Sequence, residues 1–212
     1  LPISLVLNER GEGRVRPDVA ARIRNVADEL GYAPNLLARG LKTNQSHTIG
    51  LLSDQVATVP FAGAMLAGAQ NAAAAEDFLL IVVDTAGNRD LDSHAVKTLL
   101  QRNIEGLILA TDFHRDVDLP MVPRTVPIVV LDGRPSDRGA MADWVIPDEQ
   151  QGAFIATQAL TRAGHRRIAF CNVGDSRFIA RSLRRTGYEE ALRASGIPID
   201  PRLIVEAADP ST

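Results

Sequence analysis

One cysteine in 212 residues, Cys171, leaves the chain unable to close an internal disulfide. Its place in the run RIAFCNV predicts a buried, inert strand thiol. Long apolar runs are also missing. None approaches the roughly 18 consecutive residues that a membrane span requires, and the opening residues have neither the basic start nor the apolar stretch of a secretory signal. The expectation is a cytoplasmic protein with no membrane partner. Histidine is scarce: His47, His94, His114 and His165 form no pair at helical or strand ligand spacing, and none neighbours the cysteine. That excludes a recognisable zinc site, and each reads as a surface or locally hydrogen-bonded residue. Neither a phosphate-loop lysine motif nor a nucleophile elbow occurs. GEGRVR, at 11–16, has two glycines of a dinucleotide fingerprint, but Arg16 holds the third position and no strand precedes it. Asp90 and Asp92 fall at a helix start, where capping and the helix dipole account for them. No catalytic residues, metal or cofactor are expected.

What is present is a globular composition, 45% hydrophobic and 23% charged, sufficient for one large or two modest domains. Charge is unevenly spread. Residues 1–47 hold seven Arg or Lys against five Asp or Glu, while the whole chain is at −3, so a mildly basic head precedes an acidic body. This suits a nucleic-acid module joined to something else. In PDVAARIRNVADEL, at 17–30, Val19, Ile23, Val26 and Leu30 line one helical face, with Pro17 at the first turn and Gly31 as the stop.

From Thr48 onward the pattern changes. Short apolar runs (TIGLLS, FLLIVV, GLILA, PIVVL, RIAFCNV, LIVE) alternate with helical segments at about 60–75, 90–102, 148–163 and 180–194. Runs apolar on both faces, separated by amphipathic helices, predict an α/β body with a doubly wound parallel sheet. Ligands in such folds sit beyond the carboxyl ends of the strands. Those ends carry Asp54, Pro60 and Phe61; Asp84; Thr111 and Asp112; Asp132 and Arg134; then Asp175, Ser176, Arg181, Arg184 and Arg185. Carboxylates, guanidiniums and an aromatic face can grip a small polyol, although polar residues end strands in any α/β protein.

The stretch PNLLARGLKTNQS, at 34–46, starts like a helix and dissolves into polar residues. Some seven residues are well below the roughly 12 to 15 that make an isolated helix marginally stable, and Gly40 weakens it by roughly 1 kcal/mol relative to alanine. Such a helix needs an external partner.

ISLVLN at 3–8, GRVRPDVAARIRNVADELGYAPNLLARGLKTNQSHTIGLL at 13–52 and GHRRIAF at 164–170 together resemble the lactose-repressor family of bacterial transcription regulators. PF at 60–61, EGLILA at 105–110, PIVVLDGRP at 127–135, PDEQQGA at 147–153 and RSLRRTGYEEAL at 181–192 fit in order. The resemblance implies a partial helix-turn-helix headpiece over 1–34 and a hinge helix and linker over 35–46. It further implies a two-lobed core like that of periplasmic sugar-binding proteins, over 47–145 and 146–212. It makes the protein a homodimeric repressor on a palindromic operator DNA, controlled by a sugar or similar metabolite between the lobes. Hinge helices of the family enter the minor groove and wedge a leucine between base steps. By resemblance, Asn35 caps that helix, Ala38 and Arg39 face the groove, Leu41 is the wedge and Lys42 the basic residue after it. Ser4 and Asn8 match positions that touch DNA, mostly at phosphate. Pro2 stands where the family carries a helical residue.

For the effector, the resemblance assigns stacking to Phe61, hydroxyl contacts to Asp132 and Arg134 from the first lobe, and Arg184 from the second, with Asp54 as a further candidate. It also makes the chain a fragment, lacking the start of the headpiece and the last strands of the second lobe. The alternative is a free-standing solute-binding protein of the same core fold. An enzyme on the same doubly wound body would lack a phosphate-binding loop.

Overall fold

The computed structural model describes residues 2–7, 12–32, 45–55, 62–137, 139–173 and 178–207. The chain separates into two units, Leu1–His47 and Thr48–Thr212. Asn8, Asn35, Ala38, Arg39, Leu41, Lys42 and Phe61, with the expected hinge helix, lie outside the described residues.

The first unit contains helix α1 (Pro2–Leu7), packed on helix α2 (Pro17–Glu29) through the buried side chains Val6, Ala20 and Ala27. Pro2 opens α1, where its missing N–H costs nothing, and Ser4 follows on the same helix. Gly31, at φ +60°, ends α2: its N–H donates to the Asp28 carbonyl while that of Tyr32 donates to Ala27. This is the left-handed helix stop expected of a glycine there. The apolar stripe of α2 is less covered than its periodicity suggests, for Val19, Val26 and Leu30 are exposed and the small alanines make the buried contact.

The second unit is built on five parallel strands in the order β2-β1-β3-β4-β5. They are β1 (Thr48–Ser53), β2 (Leu79–Asp84), β3 (Gly106–Val117), β4 (Ile128–Pro135) and β5 (Asp143–Val145). Helix α3 (Ala62–Ala75) covers one face, with Leu51, Leu80 and Ala110 against Met65, Leu66, Ala69 and Ala73. Helix α4 (Arg89–Gln101) covers the other, where Leu52, Leu107, Leu109 and Val130 meet Ala95, Val96 and Leu99. Helices on both faces are what let strands apolar on both sides be buried. Leu51, Leu99, Leu107 and Val130 are each at most 1% exposed, and full burial of such side chains stabilises by about 1.5 to 3 kcal/mol each.

Helices α5 (Glu149–Arg162) and α6 (Ile179–Ala194) pack on each other, and strands β6 (Phe170–Val173) and β7 (Ile204–Ala207) form a separate parallel pair. Tyr188 anchors this part. It is 1% exposed, stacks on Phe170 with centroids 5.0 Å apart, and donates its hydroxyl to the Ile168 carbonyl at 2.8 Å. Gly187 sets the helix approach, since a Cβ there would lie 2.0 Å from the Gln150 carbonyl oxygen.

Four expectations need correction. Strand β3 does not stop after GLILA but runs on to Val117, so Thr111 and Asp112 lie within it, and Asp132 and Arg134 lie within β4. The register against β4 shifts between Ala110 and Arg115, where β3 carries the extra residues. The short strand β5 was not foreseen. Cys171 is exposed rather than buried, because Phe170 and Asn172 take the packed side of β6 and no described element covers the other. Finally, His114 is neither a surface residue nor locally hydrogen-bonded: it is 3% exposed with no hydrogen-bond partner on either ring nitrogen among the described residues.

Candidate functional site

The strand order reverses between β1 and β3, which place β2 and β4 on opposite sides, and the crevice at that point is where open α/β sheets take ligands. A cavity of about 570 Å³ opens there, lined by Asp54, Thr111, Arg115, Gly87, Asp92 and Ser93. Asp54 follows β1 directly. It accepts the Asp112 backbone N–H at 3.2 Å and an ion pair from Arg115, which also lies over the Phe113 ring.

Asp132 sits on β4 at φ +58°, a left-handed conformation uncommon for any residue but glycine. The Thr111 hydroxyl holds it by donating to the Asp132 carbonyl at 2.6 Å, and Gly133 fits the same bulge, since a Cβ there would crowd Thr111 and the Arg115 carbonyl at 3.1 Å. The Asp132 carboxyl makes no hydrogen bond among the described residues. Burial, then the charge of Glu149, pushes it up to about 6, with Asp112 adding to the rise and Arg184 opposing it. Backbone strain and a partly desolvated ionisable group in one residue are features of sites held ready for a ligand.

The facing side is supplied by α5 and α6. Asp148 caps α5 by accepting the Gln151 N–H at 3.0 Å, which sets Glu149 in the first turn. Arg184, on α6, donates from Nε and Nη2 to the two oxygens of Glu149 at 2.5 and 2.9 Å, a fork-to-fork pair with Glu149 only 11% exposed. The amino end of α6 is tied to β3 by Phe178, whose ring stacks on Phe113 with centroids 4.0 Å apart. Arg134 donates to Asp116 at 2.7 Å. Burial, then Arg134, lowers the His114 pKa, with Glu149 and Asp116 opposing and Arg184 reinforcing.

Of the residues expected at the site, Asp132 and Arg184 act on one another electrostatically, and Arg134 joins them through His114. Asp54 belongs to the cavity and is linked to Asp132 through Asp112. Thr111 was among the strand-end candidates, whereas sequence reasoning missed Glu149, Phe113, Arg115, Phe178 and His114. DFHRDV, at 112–117, has no regular apolar alternation that would have extended β3 to three of them.

Residues 46–211 match the family described as periplasmic binding proteins and sugar binding domain of LacI family. The ribose operon repressor of Escherichia coli is 32% identical over 199 residues, covering 93% of this chain and 58% of that protein. Catabolite control protein A of Priestia megaterium is 26% identical over 204 residues, 96% and 60% of the two chains. A solved structure of the transcriptional regulator CelR in complex with cellobiose is 28% identical and superposes with a TM-score of 0.59, over 96% of this chain and 60% of that one. The chain thus spans less than two thirds of the length of the curated relatives it matches. Because the family match runs without a break across the parallel sheet and the α5–α6 pair, the chain belongs to the LacI family.

Proposed function

We propose that this chain is the greater part of a DNA-binding transcription regulator whose operator affinity is set by a small molecule, a sugar or similar metabolite, held between Asp132 on β4 and Arg184 on α6. Relatives named as repressors support the regulatory reading, and the cellobiose complex of CelR supports a carbohydrate-sized ligand. The observation that carries it is Asp132 itself, left-handed, desolvated and opposed by the Glu149–Arg184 pair. In this reading residues 47–145 and 146–212 are the two lobes, and Arg134 and Asp54 are secondary contacts. Residues 1–34 form part of the headpiece and 35–46 the hinge. Ser4 lies on α1, whereas the assignments of Asn8, Asn35, Ala38, Arg39, Leu41 and Lys42 to DNA, and of Phe61 to the effector, rest on the resemblance alone.

Mechanistically, a ligand that bridges Asp132 and Arg184 favours one setting of the lobes. In a homodimer on a palindromic operator DNA, that setting is coupled reciprocally to operator affinity, typically by 1 to 3 kcal/mol. The test is Arg184→Ala. Removing a charge-assisted pair weakens ligand binding about 10-fold to 100-fold and removes the ligand's effect on operator affinity at fixed salt, while the ligand-free protein still binds the operator. An unchanged ligand titration removes Arg184 from the site and ends this reading.

A further inference from the structure

His114 lies on β3 with 3% of its surface exposed, and neither ring nitrogen has a hydrogen-bond partner among the described residues. Its own strand carries Asp112, Arg115 and Asp116, of which Arg115 is paired with Asp54 and Asp116 with Arg134 of β4. From the other side of the cleft, Glu149 of α5 and Arg184 of α6 act on the ring and are joined to each other by two hydrogen bonds. The imidazole is thus surrounded by charges that already answer one another. It stands where α6 meets β3, next to the Phe113–Phe178 stack.

A neutral ring tolerates this position better than a charged one. Uptake of a proton makes both nitrogens donors and adds a charge that burial disfavours. The new charge faces Arg134 and Arg184, and the carboxylates that offset it, Glu149 and Asp116, are engaged by those same two guanidiniums. Burial first and Arg134 second accordingly hold the His114 pKa below its ordinary 6.5. Moving the amino end of α6 off β3 admits water to the ring and answers both donors. What such a movement must undo is the ring stack of Phe113 on Phe178, with centroids 4.0 Å apart, a contact weak beside the cost of a buried, unpaired charge.

We propose that His114 is a proton-operated strut between the two sides of the cleft: neutral, it lets α6 close on β3, and protonated, it parts the Phe113–Phe178 stack and opens the cleft. As regulation of DNA binding this rests on the reading of the cleft as the effector site, but the opening itself requires no ligand. The open form takes up a proton near the ordinary histidine value while the closed form resists it, so closure is fully favoured above about pH 7 and loses ground as the pH falls below 6.5. Asp132 works in the opposite sense. Burial first, then Glu149, hold its carboxyl at about 6, so the proton it takes up below that value favours the closed form. Asp132 therefore damps the response that His114 drives.

The experiment is amide hydrogen exchange on the ligand-free, full-length protein at about pH 7.5 and about pH 5, corrected for intrinsic rate and read along 112–117 of β3 and 179–185 of α6. One proton bound by the open form at the ordinary histidine value allows protection to fall by at most about 30-fold over that interval, and Asp132 returns up to about 10-fold of it. Wild type is therefore expected to lose about threefold in protection, Asp132→Asn about 10-fold or more, and the double variant His114→Gln with Asp132→Asn less than about twofold. An Asp132→Asn protein whose protection does not change with pH overturns the proposal. So does a double variant that opens as far as Asp132→Asn, because another group would then carry the effect. Should a variant not fold, the Cε1–H resonance of His114 in wild type decides the matter: titration below about 6.5 supports the strut, and titration at or above that value overturns it. No effector enters these measurements, so their outcome is separate from that of the Arg184→Ala ligand titration, which tests the effector-site reading.

Discussion

Asp132→Asn should stabilise the protein above about pH 7, and the gain should vanish as the pH falls toward about 4. Burial first, and the charge of Glu149 second, hold the Asp132 carboxyl at about 6 against an ordinary value of 3.8. The folded state therefore keeps a proton that the unfolded chain has released between those values. The contribution of this group is intact below about 4 and is lost as pH rises through about 6, the opposite of a salt-bridged aspartate. The interval sets a ceiling of about 3 kcal/mol, and because the carboxyl keeps some solvent contact the realised cost is about 1 kcal/mol. Asparagine has nearly the same shape, carries no charge and tolerates the left-handed backbone at φ +58°, so it removes the charge while keeping the bulge. Urea unfolding of both proteins at a series of pH values and constant ionic strength gives the difference directly. An Asp132→Asn protein that is less stable than wild type, or whose difference does not change with pH, would refute the argument that Asp132 is held ionised at a cost. The same substitution should weaken ligand binding, since a site tuned for function often carries a stability penalty.

Gly187→Ala should cost about 3 kcal/mol or more, beyond ordinary overpacking, because its Cβ would sit 2.0 Å from one backbone atom of α5 and 2.9 Å from another; a urea midpoint unchanged from wild type counts against the α5–α6 contact. Tyr188→Phe should cost about 1 to 2 kcal/mol by leaving the Ile168 carbonyl unpaired in a buried position, and a loss under about 0.5 kcal/mol would mean that water replaces the hydroxyl. Cys171 should react with a thiol reagent in the native protein at a rate near that of the unfolded chain, because it is exposed on β6; protection would show that some further part of the protein covers that face.

The elements that were legible are those in which local pattern and tertiary role agree. TIGLLS and PIVVL are apolar on both sides because helices cover both sides, FLLIVV forms the edge strand with Leu79 and Val82 exposed, and all three strands appear where those runs stand. Gly31 was readable as a stop because only the left-handed turn it makes closes α2. At the candidate site the pattern breaks for a physical reason. Residues 111–117 run Thr, Asp, Phe, His, Arg, Asp and Val, which looks like a polar loop after an apolar strand. Their partners are supplied from far along the sequence: Asp54 for Arg115, Phe178 for Phe113, the Asp132 carbonyl for Thr111. Composition cannot announce such pairings. His114 is the clearest instance, because nothing in FHR distinguishes an exposed imidazole from one buried without a partner, and only the arrival of α5 and α6 decides it. Local rules are violated together at Asp132 and His114, one strained and desolvated, the other buried and unpaired. Such violations persist where the surrounding structure compensates them, so the burial of His114 that local sequence could not announce and the position of the candidate site have one cause.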